Sequence, residues 1–162
     1  MVSPKGSQPV SAERRLLDLG VVLPNAPHPL GAYVEAVQSG NLLFLSGTLP
    51  IKNGKPQYIG RLGKELDADA GRDALRTATL NALSAAKQHL GSLDRVITVV
   101  RVGVYLATYG DFYNQPIVAD AASELLRDVF GEDKMSVRSV IGVATLPLGV
   151  PVILEVIFEI DN

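Results

Sequence analysis

The spacing of apolar residues changes along the chain and predicts its regular elements. Residues 33–47 contain two apolar-rich runs around a turn at 38–41, which predicts a β-hairpin. Residues 67–90 and 111–130 repeat apolar positions every three or four residues, which is typical of helices that bury one side. The predicted buried positions are Leu75, Ala78, Ala82, Leu83, Ala86 and Leu90 in the first helix, and Ile117, Ala121, Leu125 and Val129 in the second.

Polar residues and glycines mark the ends of these two helices. Asp67 or Asp69 can cap the first helix, and Gly91 follows its last apolar residue. The second helix is expected to begin around Pro116, with Asp111 as a capping residue, and to end at Gly131.

Two regions predict long apolar strands. In residues 93–107 one face would carry Val96, Val100, Val102, Val104 and Leu106, and the other Ile97, Val99, Gly103, Tyr105 and Ala107. Residues 136–160 read as two further apolar strands joined by a Pro-Leu-Gly turn. Since helices on one side cannot cover both faces of such a sheet, we expect subunits to associate through the second face. The element order predicts an α+β sandwich.

The remaining segments predict little regular structure. Residues 1–10 resemble a mobile tail, and a short helix capped by Ser11 should follow, packed through Leu16, Leu17 and Leu19. Three prolines between Leu23 and Leu30 indicate an extended connector. The glycine-rich segment 48–66 predicts a loop with one short strand near 57–59, at the rim of a site. We therefore divide the chain into residues 1–30 and a single domain at 31–162.

Composition excludes several functional classes. The 162 residues include no cysteine, so disulfides, thiolate metal sites and cysteine nucleophiles are excluded. A net charge of -2 does not favour nucleic acid as a partner. No apolar run approaches the roughly 18 residues of a membrane span, and the first residues lack the apolar core of a secretory signal. The expected location is therefore the cytoplasm, and a mean hydropathy of +0.21 favours self-association.

Arg138 is the first candidate for chemistry, because it lies within an apolar strand. A guanidinium in such surroundings needs an anionic partner, since its desolvation otherwise costs several kcal/mol. We interpret Arg138 as the anchor of a small carboxylate. The alternatives are an edge-strand arginine in solvent or a structural pair with Glu155, the anion of the last strand.

Three segments together carry a family resemblance. GAYVEAVQSGNLLFLSGTLP from Gly31, LDRVITVVRVGVYLATYGDF from Leu93 and VRSVIGVATLPLGVPVILEV from Val137 resemble the Rid family, also called YjgF or endoribonuclease L-PSP, and its longer-chain branch in particular. The resemblance implies a chorismate-mutase-like α+β sandwich, with a mixed sheet and two long helices on one face. It also implies a homotrimer with clefts between subunits.

The resemblance further implies a reactive-intermediate deaminase that hydrolyses 2-imino acids to 2-oxo acids and ammonia, without a cofactor or a metal. In the family an arginine followed by serine binds the substrate carboxylate, which here is Arg138, with Ser139 and Val140 beside it. The family tyrosine corresponds to Tyr33, although Ala32 replaces the proline before it, and the next strand ends in Ser46 and Gly47. Bidentate contact with a carboxylate suits arginine better than lysine.

One departure concerns the chemistry. The glutamate that positions water in the family lies two residues before Glu155, and this chain has Ile153 there. Glu155 lies on the same strand face, one pleat step of about 7 Å away, and is the candidate for that role. A smaller departure is Ser136, where many members have a proline close by.

Three other functions stay open at this point. Ile153 favours a non-catalytic protein that binds small carboxylates in the same cleft. An endoribonuclease is disfavoured by the acidic pI of about 5.6 and by the lack of paired histidines. A holdase that binds unfolded proteins is the third. His28 and His89 are too far apart in the chain to suggest a metal site.

Overall fold

The computed structural model describes residues 9–162, and most of the predicted tail at 1–10 lies outside them. The helices are α1 (Ala12–Asp18), α2 (Ala68–Leu90) and α3 (Gln115–Phe130). The strands are β1 (Ala36–Ser39), β2 (Leu42–Leu45), β3 (Ile51–Lys52), β4 (Lys55–Pro56), β5 (Val96–Ala107), β6 (Val137–Val143) and β7 (Val152–Ile160). No described helix is long and apolar enough to cross a membrane.

Five strands form one mixed sheet in the order β1-β2-β7-β5-β6. β5 and β6 run parallel, and the other neighbouring pairs are antiparallel. The hairpin predicted at 33–47 is present as β1 and β2. The two C-terminal strands are also present, but β5 lies between them, so the connection at 144–151 passes the end of β5. Leu148 in that connection adopts a φ of 59°.

Helices α2 and α3 cover one face of the sheet, which confirms the predicted α+β sandwich. Asp67 caps α2 by accepting a hydrogen bond from the Ala70 N–H at 2.8 Å, and Gly91 ends the helix with a φ of 82°. All six predicted apolar positions of α2 are buried. β7 alternates regularly, with Val152, Leu154, Val156, Phe158 and Ile160 buried beneath the helices.

Two predictions about α3 are wrong. Ile117 is 50% exposed, and the neighbouring Val118 is buried in its place. Asp111 does not cap the helix, because Asn114 is the N-cap residue and Asp111 instead accepts a hydrogen bond from the Tyr113 hydroxyl. Pro116 occupies the first turn as expected, but the helix begins at Gln115, one residue earlier than predicted.

The predicted alternation in β5 fails where the strand bulges. Register shifts at Val96/Thr98 and Val99/Arg101 each add one residue to β5 relative to β7. A bulge reverses the side to which the following residues point. Val99 is therefore buried under the helices, and Val100 is exposed on the opposite face, the reverse of the sequence prediction.

The segments before and after the hairpin also differ in part from expectation. Ser11 caps α1, but of its three leucines only Leu16 is buried, while Leu17 and Leu19 are exposed. Glu13 ties α1 to the body by accepting hydrogen bonds from Lys87 Nζ and the Leu93 N–H, at 2.7 and 2.9 Å. The short strand predicted near 57–59 is absent, and the β3–β4 hairpin at 51–56 takes its place around the Asn-Gly turn.

Candidate functional site

Arg138 lies on β6, the edge strand, and its side chain points to the helix side of the sheet. Its backbone pairs with Val102, which is buried under the helices. The guanidinium Nη1 donates to Asp120 Oδ1 at 2.7 Å and to Ser123 Oγ at 3.1 Å, both on α3. Only 25% of the Arg138 side-chain surface is exposed. The guanidinium therefore has an anionic partner, but that partner is Asp120 and not Glu155.

The other edge of the Arg138 guanidinium has no hydrogen-bond partner in the part of the chain that the structure describes. Within residues 9–162, Nε and Nη2 make no hydrogen bond. These two atoms form the fork that a carboxylate engages with two parallel hydrogen bonds. Arg138 is thus held by one nitrogen and retains a donor pair suited to a planar anion.

Glu155 belongs to a separate cluster on the opposite sheet face, which we call the open face because no helix of residues 9–162 covers it. Its Oε2 accepts a hydrogen bond from the Tyr105 hydroxyl at 3.2 Å and lies 3.7 Å from Arg101 Nη1. Glu155 and Ser139 both flank Gly103 in the strand register. A Cβ atom at Gly103 would lie 3.4 Å from Glu155 Oε2, so the missing side chain leaves the space that the cluster occupies.

Tyr33, Ser46 and Gly47 form a third group at the far end of β2. The Tyr33 hydroxyl accepts a hydrogen bond from the Leu30 N–H at 3.0 Å, and 44% of the residue is exposed. The Ser46 hydroxyl donates to the Val34 carbonyl, which joins it to the segment that follows Tyr33. A Cβ atom at Gly47 would lie 3.1 Å from Ile153 Cγ2, so the isoleucine fills the space beside this glycine.

These groups cannot meet one small ligand within a single protomer. β2 and β6 are separated by β7 and β5, which corresponds to about 14 Å at the usual strand spacing. Arg138 and Glu155 also lie on opposite faces, because Arg138 pairs with Val102 and Glu155 with Gly103. Val140, next to Ser139, packs partly buried against the core on the helix side.

The open face carries several exposed apolar side chains beside the Glu155 cluster, Ser139 and Glu159. Val37, Phe44, Val137 and Ile141 are exposed there by 39–69%, and Ile153 and Ile157 are partly buried. Exposed apolar side chains concentrated on one sheet face are typical of an association interface. That another subunit covers the second sheet face stays a prediction.

Other polar features lie away from these residues. A cavity of about 640 Å³ between α1, the proline-rich connector and α2 is lined by none of the candidate side chains. Its Glu13, Lys87 and Ser84 are already paired with protein groups. No group of three or more potential metal ligands occurs within residues 9–162. Burial raises the pKa of Glu35, two residues after Tyr33.

Sequence analysis missed four residues that contact the candidates. Arg101 and Tyr105 lie two residues before and two residues after Gly103 in β5, and Gly103 pairs with Glu155 in β7. Their contact with Glu155 therefore arises from the pairing of β5 with β7. Asp120 and Ser123 are three residues apart on α3, and this spacing places them on one helix face. The helix also carries other polar residues, such as Glu124 and Arg127, so no local signal distinguished this pair.

The chain belongs to the YjgF family. The matching family model is described as "YjgF/chorismate mutase-like, putative endoribonuclease" and covers residues 13–160. This is the Rid family of the sequence resemblance, so the predicted family and the predicted α+β fold of the chain are confirmed. The match includes α1 and the connector as well as the sandwich.

Individual relatives cover nearly the whole chain. It is 38% identical over 145 residues to the protein TCP17 of Trypanosoma cruzi, covering 89% of this chain and 91% of that one. It is 30% identical to the 2-iminobutanoate/2-iminopropanoate deaminase of Dermatophagoides farinae, covering 85% and 93%. A solved structure of a "putative endoribonuclease" from Shewanella oneidensis superposes with a TM-score of 0.89 at 32% identity, covering 93% and 100%.

Proposed function

We propose that this protein hydrolyses small 2-imino acids to 2-oxo acids and ammonia, with Arg138 binding the substrate carboxylate. The observation that carries the proposal is the Nε–Nη2 fork of Arg138, which has no hydrogen-bond partner within residues 9–162, on a side chain that is three-quarters shielded and held at Nη1 by Asp120. The name of the Dermatophagoides farinae relative, 2-iminobutanoate/2-iminopropanoate deaminase, supports the same substrate class.

The chemistry requires little beyond positioning. A water oxygen adds to the imine carbon and one water proton is transferred to the imine nitrogen, which gives a tetrahedral carbinolamine. Its hydroxyl proton is then transferred to the amine nitrogen as the C–N bond breaks, and the products are a 2-oxo acid and ammonia. Holding the substrate by its carboxylate beside a located water can supply several kcal/mol of the barrier reduction.

The site would be completed by a second copy of the chain. Arg138, Ser139 and Val140 of one protomer would face Tyr33, Ser46 and Gly47 of another, because these groups are too far apart within one chain. The apolar open face offers the surface for this association, and a homotrimer is the assembly expected for the family. Glu155 would orient the water only if assembly brings its carboxylate into the cleft.

A second candidate is a protein that binds 2-oxo acids without turnover. It is favoured by Ile153, which packs against Gly47 and carries no group able to polarise water. It is also favoured by the contacts of Glu155, since Arg101 and Tyr105 already engage its carboxylate. Both candidates require Arg138, and they differ only in the chemical step.

The test measures imine loss and ligand binding on the same preparations. Imines are generated from an amino acid by an amino-acid oxidase with catalase, and their decay is followed with and without the protein. Binding of 2-oxobutanoate is measured by titration calorimetry. We expect accelerated decay and binding for the wild type, and loss of both for Arg138→Ala.

The outcomes separate the alternatives. Binding without accelerated decay would support the non-catalytic protein. Unchanged binding in Arg138→Ala would remove both candidates, provided that the variant melts at the wild-type temperature. Arg72→Ala is the matched control, because Arg72 also pairs with a carboxylate of α3, at 2.7 Å, but lies away from β6.

A further inference from the structure

We propose that Asp120 and Ser123 are positioning residues that orient the Arg138 guanidinium for bidentate carboxylate binding. This inference rests on the proposed role of Arg138 and goes beyond it, since it assigns a function to two residues of α3. Both side chains hydrogen-bond the same nitrogen, Nη1, and neither hydrogen-bonds Nε or Nη2.

The choice of nitrogen decides what remains available to a ligand. A guanidinium can present either its Nη1–Nη2 end or its Nε–Nη2 side to a carboxylate. With Nη1 engaged by α3, the end is blocked and the side stays available. The two α3 contacts also prevent rotation about the terminal torsions, so the fork direction is set before a ligand arrives.

The charges around Arg138 support the same inference. Asp120 neutralises Arg138 without surrounding it, because the Asp120 side chain is 49% exposed and contributes a single contact at 2.7 Å. A carboxylate that competed for the fork would instead contact Nε or Nη2. The arrangement keeps a partly shielded cation hydrogen-bonded while no ligand is present, and it leaves two parallel donors unused.

The geometry of α3 explains why this pair can act together. Residues 120 and 123 lie on the same side of the helix, three positions apart. Their helical neighbours Ala119 and Ala122 are buried, as is Val118, which fixes the rotation of α3 over the sheet. The polar pair therefore faces β6 at the level of Arg138, and the backbone determines its position.

The binding test compares substitutions of different kinds at position 120. Asp120→Ala removes the contact, whereas Asp120→Asn keeps an oxygen that can accept from Nη1. We expect 2-oxobutanoate to bind Asp120→Ala roughly three- to tenfold more weakly than the wild type, the cost of ordering one free side chain on binding. Asp120→Asn should stay within about twofold, because the retained acceptor preserves the orientation.

Two controls separate positioning from a general effect on stability. Glu124→Gln breaks an ion pair of the same 2.7 Å length on the same helix, with Arg72, and should leave binding unchanged. Melting temperatures are recorded for all variants. If Asp120→Ala bound 2-oxobutanoate as well as or better than the wild type, the inference would be overturned, because Asp120 would then be a bystander or a competitor.

A measurement without ligand keeps the inference testable even if the proposed function fails. NMR of the arginine side-chain nitrogens reports rotation about the Nε–Cζ bond of Arg138. We expect slow rotation in the wild type and in Glu124→Gln, and faster rotation in Asp120→Ala. Equally fast rotation in the wild type and Asp120→Ala would contradict the positioning role, whereas slow rotation without any 2-oxobutanoate binding would contradict only the proposed function.

Discussion

Replacing Ile153 by glutamate should increase imine hydrolysis. Ile153 occupies the strand position that carries a water-positioning glutamate in the resembling family, and its side chain lies on the open face beside Gly47. General acid–base catalysis typically contributes 10²- to 10⁴-fold. We expect Ile153→Glu to accelerate imine decay by roughly 10- to 100-fold, since in our proposal Arg138 already positions the substrate.

The new carboxylate should also lower stability. It would lie one pleat step from Glu155, about 7 Å away. Repulsion at that distance is about 0.6 kcal/mol in water and about 2.4 kcal/mol at an effective dielectric constant near 20. Arg101, 3.7 Å from Glu155, offsets part of this repulsion. A melting temperature lower by a few degrees is therefore expected.

Ile157→Glu is the matched control for this prediction. Ile157 lies two residues after Glu155 on the same sheet face, whereas Ile153 lies two residues before it. Ile157→Glu therefore adds similar repulsion with Glu155 but places the carboxylate away from Gly47. The assay is imine decay in the presence of an amino-acid oxidase, with 2-oxobutanoate affinity measured in parallel. An Ile153→Glu variant that binds normally but gains no rate, or an equal gain in Ile157→Glu, would refute the reasoning.

Three further predictions concern stability and assembly. Leu154→Ala empties a fully buried position and should cost about 2–5 kcal/mol in thermal unfolding, whereas Leu148→Ala, at a residue 55% exposed, should cost under about 0.5 kcal/mol. Phe44→Asp on the open face should reduce the mass measured by light scattering to that of a monomer, while Val22→Asp should leave it unchanged; equal masses for wild type and Phe44→Asp would refute the interface. Hydrogen bonds from Lys87 and Leu93 outweigh burial and lower the pKa of Glu13. Glu13→Gln should therefore cost about 1 kcal/mol near neutral pH. This difference from the wild type should vanish as the pH falls below 4.5, the ordinary pKa of a glutamate, and then through the lowered pKa of Glu13.

The fold was largely predictable because its elements carry strong local signals. The α2 positions from Leu75 to Leu90 repeat with helical spacing, and Gly91 follows directly. The prediction failed at Val99 and Val100, where bulges reverse the alternation of β5. Bulges depend on pairing with β7, which local spacing does not report. The same limit applies to the C-terminal strands, because nothing in residues 136–160 signals that β5 inserts between them.

The candidate site was predictable only in part. A cation in an apolar strand indicated that Arg138 needs an anionic partner, and the structure supplies one. The partner could not be derived from the sequence, since Asp120 lies on a separate helix 18 residues earlier. Glu155 was a reasonable alternative because it is negatively charged and lies in the other C-terminal strand. The strand register, however, places it on the opposite face of the sheet from Arg138. The roles that we propose for Tyr33, Ser46 and Gly47 require a second copy of the chain, so they could not be judged from one chain.

The most direct test of the account is a crystal structure of the protein with 2-oxobutanoate. We predict that both carboxylate oxygens lie about 2.7–2.9 Å from Nε and Nη2 of Arg138, with Asp120 still on Nη1. Tyr33 or Ser46 of a second copy should close the other side of the crevice. A ligand bound away from Arg138, or an Arg138 that leaves Asp120 and points into solvent, would contradict the account.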